Sequence, residues 1–547
     1  MHRLLALALV VAVPRAADAF CGFYVAGSGD QLVNDATQVV LMRKGTRTVL
    51  AMQNDYKGPP SDFAMVVPVP TVLHERDVKT LSKEVFAHVE AMGAPRLVEY
   101  WEQDPCFEPE YERRKGDGIA YSAAPQAARI SKDKDFGVTI EAQFVVGEYQ
   151  IVILSAKDST GLDAWLHANK YQIPAGAEPL LRPYVEGGMK FFVAKVDPAK
   201  VKFENGHAAL SPLRFHYDSD EFVLPIRLGL ANSSGTQDLI VNIFSPSQRY
   251  KVANYDNVTI PTNLDVKDAV RTHFGAFYAA LFDATLAKHP GAVVTEYAWQ
   301  ATSCDPCPGP TLSPSELSTL GGDVLDDHDD SAAKAKEATD ARNALMQAMQ
   351  QHKPQAEIER LRAEWQRLAP SLYRRPGSDL VLTRLHARYG KDIKDDLHFE
   401  KADPIVGGRE HVVIAGKLEE GAQPAAMNNF QARYAIRHPW TGEMKCEHPR
   451  RGVWGGPPRD QIAQDAGVKP ATGLAFVPRD EVKLASVVLT GVPELGLAAS
   501  SIAPVPTATP TKTEPAKKTG CCDSSGSTSP LLSAATLLLV LRRRRQR

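Results

Sequence analysis

Cys304, Cys307 and Cys446, with His448 two residues beyond the last, are the side chains of this sequence best suited to chemistry. Three thiolates and one imidazole match the donor set of tetrahedral zinc, so Cys304, Cys307, Cys446 and either His448 or His438 make a candidate structural metal site. Its spacing is incomplete, because a strong zinc signature carries a second close pair of ligands. Disulfide formation is the competing chemistry and the expected one. Cys21 and Cys106 bring the cysteines outside the C-terminal tail to five. Cys21 with Cys106 would close a long loop at the start of the chain, whereas Cys304 and Cys307 either bond to each other or send one member to Cys446, leaving an odd thiol. A redox pair would open a helix after a strand. Pro306, Pro308 and Pro310 instead make this segment an extended loop.

Other constellations are weaker. His216, Asp218 and Asp220 alternate as on one strand face, which an exposed strand edge explains as well as a metal does. Asp323, Asp326, Asp327, Asp329 and Asp330 lack the central glycine and distal glutamate of a calcium loop, so they read as a solvated helix start. Trp440 and Trp454 with Arg437, Arg450 and Arg451 suggest tryptophans packed under arginine stems, or else an aromatic and basic groove. No nucleophile elbow, phosphate-binding loop or HExxH helix occurs, so no catalytic residue and no cofactor besides zinc is indicated. A binding, adhesion or structural role follows as the expectation. The alternative is an exported hydrolase or metal-dependent enzyme with its site in the His-rich region 380–457.

The ends place the chain. Arg3, an apolar run over residues 4–13 and the small-x-small sequence Ala17-Asp18-Ala19 form a secretory signal over residues 1–19, cut after Ala19. At the other end a Pro/Thr/Ser-rich linker, residues 503–529, encloses Gly520-Cys521-Cys522 and leads to an apolar tail with an arginine cluster, residues 530–547. The apolar run of residues 531–541 would rise about 17 Å as a helix, short of the roughly 30 Å hydrocarbon core. Gly-Cys, spacer, apolar run and arginines in this order resemble the MYXO-CTERM sorting tails of myxobacterial surface proteins. That resemblance implies export machinery and a dedicated sorting protease as partners, a membrane contact through the tail, and attachment at the outer envelope through Cys521 or Cys522. A plain C-terminal anchor is the alternative.

Of the 547 residues 44% are hydrophobic and 23% charged, enough for a substantial core. Without residues 1–19 and 542–547 the chain holds 56 Lys and Arg against 64 Asp and Glu, a net charge of −8 in place of −2. That acidity argues against nucleic acid as a partner; the ligand itself is not specified.

The elements that must position these residues alternate between hairpins and helices. Residues 38–42 and 46–53 flank a turn at Arg43-Lys44-Gly45, residues 63–69 make a further strand, and Leu81, Val85, Val89 and Met92 predict a helix over 78–92. Residues 139–146 and 149–155 predict a second hairpin, followed by a helix marked by Leu162, Trp165 and Leu166 and a strand at 189–196. A third hairpin is expected from residues 222–230 and 239–244, a strand at 252–260, and a helix from Val270, Phe274, Phe277, Tyr278 and Leu281. The fold class is therefore α+β, with largely antiparallel sheets and packed helices. Its body covers residues 20–325 and continues over 371–502. Residues 326–370, divided by Pro354, predict an inserted α-helical hairpin with a seam of Ile358, Leu361, Trp365 and Leu368.

Several runs resemble the uncharacterised DUF2330 family of secreted bacterial proteins. They are Asp62-Phe63-Ala64-Met65-Val66-Val67-Pro68-Val69-Pro70, Ala94-Pro95-Arg96-Leu97, Glu221-Phe222-Val223-Leu224-Pro225-Ile226-Arg227-Leu228-Gly229, Thr302-Ser303-Cys304-Asp305-Pro306-Cys307, and residues 433–454 with His438-Pro439-Trp440 and Arg451-Gly452-Val453-Trp454. The resemblance implies an envelope or secreted setting and supplies no catalytic residues.

Overall fold

Residues 237–245 are buried without interruption in the strand Thr236–Pro246, which a strand shows only where both of its faces are covered. It pairs antiparallel with Leu380–Gly390 and parallel with Ala36–Lys44, at the centre of the main sheet. Arg47–Met52, Leu213–Asp218 and Val78–Thr80 extend that sheet on one side and Val293–Gln300 on the other. A second, five-stranded antiparallel sheet contains Ala64–Val69, Lys190–Val196, Tyr149–Ala156 and Val138–Val146. The computed structural model describes residues 23–25, 36–53, 64–106, 137–169, 171, 176–204, 207–232, 235–325, 328–368, 379–410, 413–414, 417–457, 468–473, 479 and 482–499. The expected cleavage at Ala19, Cys21 and the tail with Cys521 and Cys522 lie outside them.

The period-two pattern of the strands sorts their side chains into layers. Leu50, Met52, Met65, Val67, Ile151, Phe192, Val241 and Leu385 share one core between the two sheets. Val49 and Ala51 point the other way, to the helix Lys83–Gly93 through Phe86 and Val89. Ala64, Val66, Phe191 and Val193 likewise turn to the helices Ser159–Ala168 and Ala177–Glu186 through Leu162, Trp165 and Leu181. Two sheets thus pack face to face with helices on both outer faces, an α+β arrangement with mostly antiparallel sheets.

A smaller mixed sheet joins distant parts of the chain: Arg433–His438 runs parallel to Arg96–Glu102, and Trp454–Gly455 antiparallel to it. The helix Phe274–Lys288 covers it through Phe277, Tyr278 and Leu281 against Leu97, Tyr434 and Ile436. The helices His328–Gln350 and Gln355–Leu368 meet through Ala338, Ala341 and Leu368, with Trp365 partly buried beside them. No helix among the described residues is long and apolar enough to cross a membrane.

Three expectations need correction. The first helix starts only at Lys83, because Val78–Thr80 is an edge strand paired with Leu213, Arg214 and Phe215. Residues 222–230 form no hairpin with 239–244. Val223–Leu224 pairs with Leu397 and His398 instead, Pro225 interrupts the run, and Arg227–Asn232 is a 3-10 turn. The strand expected over 252–260 is two short ones, Arg249–Val252 and Asn257–Thr259, in different sheets.

Candidate functional site

Cys106 is bonded to Cys446, 340 residues away, rather than to Cys21, and Cys304 is bonded to Cys307. The zinc candidates therefore do not form one donor set: the three sulfurs sit in two separate disulfides, and His448 is exposed. The first bridge fastens the end of Arg96–Glu102 to the segment after Arg433–His438, the two strands that run parallel. The second closes a loop whose main-chain oxygens at Asp305 and Pro306 accept from Gln431 and from Arg96, the latter at 2.8 Å.

The basic and aromatic segment is internally packed. Arg437 lies over the Trp454 ring at 5.0 Å and donates to Asp265 at 2.8 Å. Arg451 pairs with Glu102 at 2.9 Å. His438 stacks on Trp101 at 4.6 Å and sits 2.9 Å from Glu99 Oε2. Glu99, Asp268 and His438 come close enough to share a cation, and the Arg271 guanidinium occupies that place, 2.8 and 2.7 Å from the Glu99 oxygens. Elsewhere Asp218 is held by Arg47 and Asp323 by Arg214 and Lys79, so neither is a free ligand. The expected solvated helix start at Asp323 is an ion-paired one; Asp326 and Asp327 lie outside the described residues.

A buried polar row crosses the main sheet. Asn242 faces Arg384, Arg384 faces Tyr297 and Tyr297 faces Gln431 across three strand pairs, which puts the four side chains on one face. Arg384 Nε donates to Glu296 Oε2 at 2.6 Å, while Glu296 Oε1 meets His386 Nδ1 at 2.7 Å and accepts from Tyr278 at 2.7 Å. Burial opposes the charge on Glu296, yet His386 and Arg384 outweigh it and hold the carboxyl at about 2. Burial likewise opposes the charge on His386, but Glu296 and Asp238 raise its pKa. Arg96, fully buried, lies 5.2 Å over the Tyr297 ring. Seven of the thirteen buried side-chain polar atoms without a protein partner, among the described residues, belong to Arg96, Asn242, Tyr297, Arg384 and Gln431. At about 1–3 kcal/mol for each unserved group, such a row is costly against a domain's stability of about 5–15 kcal/mol, and buried polar atoms of this kind are ordinarily served by protein groups, ordered water or an ion.

The open site lies further along the same strands, at their Thr236, Val293 and Gly390 ends. A cleft of about 510 Å³ is lined by Ile226, Val293, Ala387, Tyr389 and Leu397, with Asp392, Lys394 and Asp395 along the same wall. It forms where Leu380–Gly390 ends and the chain turns back towards His398. Tyr255 donates to the Asp395 oxygen at 2.7 Å and Asn254 to the Asp396 oxygen at 2.7 Å, which fastens the turn. The buried Asp396 carboxylate then joins three segments, accepting from Ile226 N at 2.9 Å, Arg227 Nη2 at 3.0 Å and Tyr184 at 2.7 Å. On the far side of this wall a second cleft, about 260 Å³, is bounded by Pro68, Pro70, Tyr217, Pro225, Arg227 and His398. Sequence reading missed both clefts. The signal that could have found the second was the pair of runs ending in Pro68-Val69-Pro70 and Pro225, which converge on it.

The fold and clefts define a class: an α+β protein of two face-packed sheets with an open cleft walled by a turn of the central sheet. The chain belongs to the DUF2330 family, uncharacterized and conserved in bacteria, whose model matches residues 15–400. The match includes the cleft wall and ends before residues 433–454, which the sequence resemblance had included. No curated protein and no solved structure matches the chain.

Proposed function

We propose that this protein is an exported, envelope-anchored binding protein without catalytic activity, and that the larger cleft receives a small amphiphilic molecule. The observation that carries this reading is the composition of the cleft. Its apolar and aromatic lining, Ile226, Val293, Tyr389 and Leu397, adjoins exposed charges of both signs at Asp392, Lys394 and Asp395. A volume of about 510 Å³ is in the usual range for small-molecule sites. The signal over residues 1–19, the two disulfides and the acidic body fit an oxidising compartment. The tail would then be held at the inner membrane, cut near Cys521 or Cys522, and replaced by attachment at the outer envelope. We assign residues 326–370 as a helical insertion in the family's pattern.

The test is binding of the amphiphilic dye 1-anilinonaphthalene-8-sulfonate to the purified full chain. One saturable site per chain is expected, weakened at least about tenfold by Thr236→Trp, which places an indole from an exposed position into the cleft mouth. Saturable binding that is untouched by this substitution would exclude the larger cleft.

A further inference from the structure

The buried row of Asn242, Arg384, Tyr297 and Gln431, with Arg96 above it, has the composition of an ion site. Arg384 is fully buried, and its Nη1 and Nη2 have no protein partner. Its one acidic partner among the described residues, Glu296, is engaged at both oxygens: one takes Arg384 Nε, the other His386 and Tyr278. Arg96 gives its Nη groups to the neutral main-chain oxygens of Met92, Ala94 and Pro306, and its Nε to no protein atom. Among the described residues no carboxylate lies within ion-pairing distance of Arg96. Of the two buried guanidinium groups, only that of Arg384 has a carboxylate partner, and that of Arg96 has none among the described residues. Buried charge of one sign calls for a counter-ion rather than for water alone.

The donors without protein partners around this point are Arg384 Nη1 and Nη2 and the Asn242 amide, while the Tyr297 hydroxyl interacts with Arg96. Gly93 packs closely over this point. A Cβ at that position would lie 3.3 Å from Arg384 Cδ and 3.4 Å from Asn242 Oδ1, so backbone closes directly over the two side chains. We infer that a halide-sized monovalent anion binds between Arg384 and Arg96, with Asn242 and Tyr297 completing its shell. The anion sits on the side of Arg384 away from Glu296, and it belongs to the folded core rather than to the cleft.

The experiment holds the purified full chain at constant ionic strength in gluconate, a bulky anion, and titrates bromide against it. The thermal midpoint is expected to rise along a one-site curve by about 2–4 °C at saturation. Sulfate, divalent and larger than bromide, is expected to leave the midpoint where gluconate does. Asn242→Asp places a fixed carboxylate beside Arg384, so the variant should lose the bromide dependence. Arg384→Met tests the same point but risks losing the fold, so crystals of the unaltered protein grown in bromide give a second reading. An anomalous peak between Arg384 and Arg96 is expected. Water at that place, a midpoint indifferent to bromide, or a dependence kept in Asn242→Asp would overturn the assignment.

Discussion

Glu296 and Arg384 meet at 2.6 Å with neither side chain exposed, and a bulge brings them together. The register between Val293–Gln300 and Leu380–Gly390 slips between Thr295 and Tyr297, which leaves Glu296 as the extra residue. The slip lets Glu296 and Tyr297 both address Arg384, one through its carboxylate and one as its paired neighbour. Removing one partner of a buried pair strands the other charge at a cost of about 3–5 kcal/mol. Glu296→Gln is therefore expected to lower the unfolding free energy by that amount in urea titration, and a loss under about 1 kcal/mol would contradict the pairing.

The same cluster sets the pH response. Glu296 is held at about 2 against an ordinary 4.5, so its stabilisation is complete above 4.5 and is lost as pH falls towards 2. Asp238, also lowered despite burial by His386 and Arg388, acts in the same direction. His386 is raised, so its contribution is complete below 6.5 and fades as pH rises through its higher folded value. Thermal midpoints are expected to be highest between these limits, and Glu296→Gln should flatten the acid limb. An acid limb of unchanged slope in that variant would assign the response to other carboxylates.

The two disulfides differ in what they constrain. Cys106–Cys446 spans 340 residues and Cys304–Cys307 only 3. Chain entropy then gives about 6 kcal/mol for the first and about 2 kcal/mol for the second. The unreduced body should weigh four hydrogens less than the reduced one, and Cys446→Ser should destabilise more than Cys307→Ser. Free thiols at all four positions in native protein would contradict the assignment.

Two glycines separate close contact from backbone strain. At Gly408, φ is +70° and a Cβ would stand 2.0 Å from the Gln431 main-chain oxygen, whereas at Gly452, φ is +79° with open space around it. Gly408→Ala is expected to cost at least about 3 kcal/mol or the fold, and Gly452→Ala about 1–2 kcal/mol, both read by thermal unfolding. Equal effects would mean that the approach of Gly408 to Gln431 is not present.

Local pattern carried much of the fold. The hairpin of Ala36–Lys44 and Arg47–Met52 was legible from two β-rich runs around Gly45, and Phe274–Lys288 from the spacing of its aromatic residues. Pairings between distant segments were not. Leu224 takes Leu397 as its partner and Arg96 takes Arg433, and nothing local in either run announces such a choice. The cleft was hidden for the same reason, since Ile226, Val293 and Leu397 come from separate stretches of chain. The cysteines show the converse limit: their chemistry was legible, but the Cys106–Cys446 pairing depends on the parallel strands between them.

Binding in the larger cleft is tested most directly by diffraction from crystals of the protein soaked with 1-anilinonaphthalene-8-sulfonate. The expected result is the dye's naphthalene against Ile226, Val293, Tyr389 and Leu397 with its sulfonate towards Lys394. Dye bound only elsewhere, with the cleft filled by solvent at saturating concentration, would contradict the account.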